Sequence, residues 1–96
     1  MSQYIVLIQD NPKTDCTSEE WDVFCAAARR IGHFQGGSEI GRRTVIGNVH
    51  SAKSTDHIVG YMRFDSANRQ QILDLLEKHP VVIHGGSVEL CELPES

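Results

Sequence analysis

Tyr4-Ile5-Val6-Leu7-Ile8 is an unbroken apolar run, rich in β-branched residues and closed by Asp10-Asn11-Pro12. A run this short, stopped by turn-forming residues, suits a central strand covered on both faces better than a surface helix. Such a strand needs a neighbour on each edge and apolar layers against its faces. The rest of the chain has to supply them.

Thr17-Ser18-Glu19-Glu20 offers a capping box, since the Thr17 hydroxyl can accept from the amide three residues on while Glu20 reaches back. The helix it opens carries Trp21, Phe24, Cys25, Ala28 and Ile31 at spacings of three and four, one apolar stripe, and Gly32 supplies its stop. Gly36-Gly37 breaks the pattern. Strand-like residues resume between Ser38 and Asn48, around Arg42-Arg43-Thr44-Val45-Ile46, and predict a second strand there. Val49 to Asp56 is polar and short, as expected of a hairpin connection.

His57 to Phe64 alternates, with Ile58, Met62 and Phe64 on one face and His57, Tyr61 and Arg63 on the other. Asp65 or Ser66 can cap a second helix whose Ile72, Leu73, Leu75 and Leu76 face inward. His79-Pro80 ends that helix, because the residue before proline avoids helical geometry. Val81 to Gly86 then leads into a last strand, Ser87 to Leu93, with Val88 and Leu90 on the helix side and Glu89 and Cys91 on the opposite face.

The order β-α-β-β-α-β predicts one α+β domain over residues 1–96. Two βαβ units with right-handed crossovers build a ferredoxin-like four-stranded antiparallel sheet with both helices on one face. The other face is left open. A domain of 96 residues buries only about 60% of the surface of its unfolded chain, so a second copy placed face to face is the expected cover, closing a dimeric α/β barrel.

Charge and composition narrow the function classes. A formal charge of −4, with no Lys or Arg run and no aromatic residues interleaved with basic ones, argues against nucleic acid as a partner. Cys16, Cys25 and Cys91 are odd in number and lack metal-ligand spacing, so they are expected to be reduced thiols in a reducing, cytoplasmic setting. The first apolar run is too short for a membrane span, and neither a basic n-region nor a cleavage site accompanies it.

Gly32-His33-Phe34-Gln35-Gly36-Gly37-Ser38, His79-Pro80 and Gly85-Gly86-Ser87-Val88-Glu89-Leu90 resemble the YCII-related family, and the likeness spans nearly the whole chain. The resemblance implies a ferredoxin-like fold paired as a dimeric α/β barrel, and small-molecule lyase or dehydrochlorinase chemistry in a few members. Better-described members are associated with a first-helix histidine working with an aspartate. No histidine stands between Thr17 and Ile31 here, and the Asp-Gly-Pro-Phe signature of the longer branch is missing, so only His79 and the Gly85-Gly86 turn carry across.

His79, at the junction of second helix and last strand, has two readings. As an imidazolium it would cap helix carbonyls, and this structural role carries the greater weight; at the sheet's rim it would act as a general acid or base. Tyr61, Arg63 and Glu89 share the presumed barrel interior, where Arg63 and Glu89 form either an ion pair, the favoured reading, or an anchor for an anionic ligand. The histidine spacings suggest no metal site, and Gly36-Gly37 and Gly85-Gly86 lack the residues of a phosphate loop.

Two functions therefore compete. The first is a cofactor-free lyase or isomerase acting as a homodimer on a small anionic metabolite, with His79 transferring protons and Tyr61, Arg63 and Glu89 binding ligand. The second is a non-catalytic dimerisation or ligand-binding module. A role within a larger complex leaves no mark in the residues.

Overall fold

The computed structural model describes residues 2–94. Its strands are β1 (Ser2–Gln9), β2 (Phe34–Glu39), β3 (Ile58–Ser66) and β4 (Val88–Leu93), and its helices are α1 (Ser18–Arg30), α2 (Arg69–Leu76) and the short α3 (Pro80–Ile83). The sheet order is β2-β3-β1-β4, with every pairing antiparallel. This is the ferredoxin-like α+β arrangement.

β1 sits centrally, as its apolar run requires, and its burial alternates. Tyr4, Val6 and Ile8 are buried under the helices, whereas Ile5 and Leu7 are only half-buried on the other face. The expectation of two covered faces is therefore met on one side only within a single chain. Across the sheet, Ile5 lies between Arg63 and Cys91, and Leu7 between Tyr61 and Glu89, so these residues share the uncovered face.

α1 begins at the expected capping box: the Thr17 side chain accepts from the Glu20 amide, and the Glu20 carboxylate accepts from the Thr17 amide at 2.8 Å. Phe24 and Ala28 are buried, and Trp21 and Ile31 pack beside them against the core. Gly32 follows with φ +77, a left-handed turn that other residues enter at a cost and that ends the helix. α2 presents Ile72, Leu75 and Leu76 to the same core, with Leu73 half-buried. Its N-cap is Asn68, because Asp65 and Ser66 still belong to β3; the Ser66 hydroxyl instead accepts from the Asn68 amide at 2.9 Å.

Two elements differ from expectation. The second strand lies at Phe34–Glu39, and residues 40–57 form a long connection containing the Arg42–Ile46 stretch. Gly36-Gly37 runs inside the strand, where the β2–β3 register shifts. A Cβ on Gly37 would press into the Tyr61 carbonyl oxygen and come within 3.0 Å of the Met62 Cα. Glycine is thus what lets β2 approach β3. The connection is tied down by Arg43, which donates to the carbonyls of Thr55 and Ile58 and lies 4.0 Å from the Asp56 carboxylate.

The second difference is α3. The chain after His79-Pro80 forms a single helical turn rather than a lead into the last strand, with Pro80 at a position where its missing amide costs nothing. Val81 from this turn joins the core. In β3 an irregularity beside Ile8 and Gln9 places Gln9 opposite Ile58, and Val59 packs against the core cluster with Met62 and Phe64. Among the described residues, no helix is long and apolar enough to cross a membrane.

Candidate functional site

A cavity of about 770 Å³ opens between α1, the β1–α1 loop and the β2–β3 half of the sheet. Its walls are mainly apolar, with Ile8, Trp21, Phe34, Val59, Met62 and Val81 among them. They are neighbours because the α1 stripe and the core faces of β1, β2 and β3 converge there. Polar groups are few: Asp10, Asp15 and Glu39 bring carboxylates, Arg29 a guanidinium, and Cys16 and Cys25 thiols. An apolar hollow with a few polar side chains is the ordinary form of a small-molecule site. Three carboxylates to one guanidinium favour a neutral or cationic ligand over an anion.

His79 does not lie at the sheet's rim. It has 0% exposure, with its ring centroid 4.8 Å from that of Trp21 and 4.6 Å from that of Phe24. Its Nδ1 accepts a hydrogen bond from the Val81 amide at 3.1 Å, and its Nε2 has no hydrogen-bond partner. Burial pushes its pKa down from 6.5 to about 4, since an imidazolium would lose its hydration with no carboxylate to replace it. The structural role is therefore the reverse of the expected one: a neutral ring caps the amide of the following turn rather than a cation capping the preceding carbonyls.

The residues proposed to bind a ligand on the uncovered face are placed as follows. Tyr61 is half-buried there and also borders the cavity. Arg63 and Glu89 share the face, but each is exposed, in a different cross-strand row with β1 between them. From strand spacing and rise, their Cα atoms stand about 12 Å apart. They form no ion pair within the chain, and neither is a buried charge in need of one. Cys91, on the same face, has its thiol pushed up by burial and by Glu89, and Cys16 by burial and then Glu20 and Asp15, so neither is a ready thiolate.

A cluster without any local sequence signature lies beside the cavity. His84, just after α3, places Nε2 at 2.8 Å and 2.9 Å from the two carboxylate oxygens of Glu20 at the start of α1. Its Nδ1 stands 2.6 Å from the hydroxyl of Thr14 in the β1–α1 loop. The side chains of His84 and Glu20 are 21% and 29% exposed, sheltered but open to solvent. The Thr17 amide, then the His84 ring, hold the Glu20 carboxyl below the usual carboxylate range. The loop is brought to His84 by backbone pairing, the Lys13 amide donating to the His84 carbonyl at 2.8 Å. Asn11 secures it further by accepting from the Ser87 amide at 2.8 Å.

These partners are 64 and 70 residues apart, so only the fold reveals the group. The capping box marks Glu20 in the sequence, but nothing there marks His84 as its partner. Chain neighbours connect the cluster to the cavity: Asp15 and Cys16 follow Thr14, and Trp21 follows Glu20, all three on the cavity wall. Among the described residues, no three His, Cys, Asp or Glu side chains are grouped to hold a metal ion.

Among solved structures, the chain is similar to 5-chloro-2-hydroxyhydroquinone dehydrochlorinase from Burkholderia phenoliruptrix AC1100 in complex with 2,5-dihydroxybenzoquinone. The TM-score is 0.58 at 12% identity, covering 98% of this chain and 95% of the other. A protein from Arabidopsis thaliana is similar with a TM-score of 0.46 at 11% identity, covering 100% of this chain and 96% of that one. No protein-family model and no curated sequence matches the chain. At this identity the likeness to the dehydrochlorinase shows the fold alone, a ferredoxin-like α+β arrangement.

Proposed function

We propose that this chain is a small-molecule-binding protein that works as a homodimer and catalyses a cofactor-free lyase or isomerase reaction. The observation that carries the reading is the cavity between α1 and the sheet, with aromatic and aliphatic walls and a polar rim. The ligand is a small ring-bearing molecule without net negative charge, because the cavity's three carboxylates, on Asp10, Asp15 and Glu39, outnumber its one guanidinium, on Arg29. The dehydrochlorinase of the same fold acts on a compound of that size. The anion expected from Arg63 has no support in the cavity, since Arg63 points from the opposite face of β3.

The surface of the uncovered face supports dimerisation through it. Ile5, Leu7, Tyr61 and Cys91 are each only half-buried in the single chain, in a sheet whose other face holds the whole core. Covering them with a second copy removes that apolar area from water, and Arg63 and Glu89 lie where a symmetric partner can pair them.

Sedimentation equilibrium with a thermal-unfolding ligand screen tests both parts. The expected mass is twice the 10.7 kDa of one chain, with the unfolding midpoint raised by neutral aromatic compounds more than by benzoate-like anions. A monomer unaffected by any ring compound would remove the proposal.

A further inference from the structure

Thr14, His84 and Glu20 have a defined hydrogen-bond polarity. Glu20 is a carboxylate and can only accept, so the ring nitrogen facing both of its oxygens, Nε2, carries a proton. In the neutral ring this fixes the tautomer and leaves the lone pair on Nδ1, aimed at the Thr14 hydroxyl 2.6 Å away. Hydroxyl, imidazole and carboxylate thus stand in series, with the base oriented by a third group. Thr14 itself is exposed and sits on a loop.

We propose that these residues form a proton-transfer site at the rim of the cavity, in which the hydroxyl of a phenol or enol displaces that of Thr14 from His84 Nδ1. The inference rests on the small-molecule reading above and names both the base and the substrate class. His84 is the catalytic residue. Glu20 is a positioning residue, holding the ring and stabilising the imidazolium that forms. The ring of the bound molecule lies toward Trp21 and the apolar cavity, and its hydroxyl lies toward the loop.

For an enol the step balances without a cofactor. The O–H proton passes to Nδ1, and the electron pair of that bond becomes the new carbonyl π bond. The pair of the former C=C bond takes a proton at carbon from the imidazolium, which returns to the neutral ring. One O–H bond is exchanged for one C–H bond, and nothing is oxidised or reduced. For a phenol the first half alone operates, giving a bound phenolate beside an imidazolium.

The phenol case gives the test, using para-nitrophenol, whose ionised form absorbs in the visible. The full chain is titrated into the phenol at a pH low enough to keep the free compound protonated. The expected result is a phenolate band that grows and saturates with protein. His84→Gln should bind the compound and lose the band. Glu20→Gln should weaken the band severalfold, although glutamine can still serve the capping box. Thr14→Ala should keep or strengthen it, because the competing hydroxyl is gone.

Nitrobenzene, which lacks the hydroxyl, separates the two readings. If it binds while wild-type protein takes up para-nitrophenol only in protonated form, the proton-transfer site is overturned and the cavity stands; if neither compound binds, both readings fall. Persistence of the band in His84→Gln, or its loss in Thr14→Ala, also overturns the proposal. Far-UV circular dichroism shows that each variant is folded. Should His84→Gln not fold, wild type and Thr14→Ala decide the question, since Thr14 contributes only an exposed hydroxyl.

Discussion

Lowering the pH from about 6.5 toward 4 should destabilise this protein through His79. The ring is fully buried between Trp21 and Phe24, with no carboxylate beside it, and its pKa falls from 6.5 to about 4. Between those values the unfolded chain binds a proton at this position and the folded chain does not. Stability from this group is therefore complete above about pH 6.5 and is lost as pH falls toward 4. At about 1.4 kcal/mol per pH unit, the gap corresponds to about 3 kcal/mol by pH 4 and somewhat over 1 kcal/mol at about pH 5.5. Urea denaturation followed by far-UV circular dichroism across this range measures it, with His79→Asn as the reference. Asparagine can still accept from the Val81 amide but cannot titrate, and it introduces a roughly constant loss from the vacated ring volume. Other groups titrating in the same window cancel in the difference between the two proteins. Parallel pH profiles for wild type and His79→Asn would refute the reasoning, as would stability that rises on acidification.

Three further outcomes follow from particular contacts. Gly37→Ala should destabilise by about 2 kcal/mol in urea denaturation, because its Cβ collides with the β3 backbone at Tyr61 rather than with a side chain that can move. Thr17→Ala should cost about 1 kcal/mol by the same measurement, since one half of the capping box is lost. Leu7→Glu, on the uncovered face between Tyr61 and Glu89, should leave the monomer folded by circular dichroism but shift sedimentation toward the single-chain mass.

The elements legible in the sequence are those whose signal is local. The Tyr4–Ile8 run, the Thr17–Glu20 capping box and the α1 stripe each depend on neighbours within a few residues, and each forms the element its pattern indicates, although β1 is covered on one face only within the chain. The faces of β4 follow the pleat, with Val88 and Leu90 packed against the core and Glu89 and Cys91 opposite. β2 was hidden because its defining feature is a close backbone approach to β3, which only glycine permits and which has no periodicity. Arg42–Ile46 carries strand-like residues but pairs with nothing, as the β3 edge is already taken by Phe34–Glu39. The short turn after Pro80 turns His79 inward, a consequence of packing against α1 that the His-Pro pair alone does not specify. The Thr14–His84–Glu20 cluster is the furthest from legibility, since it is assembled by the loop's pairing with the chain after α3.

The most direct test of the central claim uses Trp21, the single tryptophan in the chain and part of the cavity wall. Its fluorescence should be quenched by a neutral nitroaromatic compound along a saturable curve, and Cys25→Phe, filling the cavity from a half-buried position on its wall, should abolish the saturation. Quenching that rises linearly with concentration and is the same in wild type and variant would mean that molecules only collide with an exposed ring, and would contradict a binding cavity at this site.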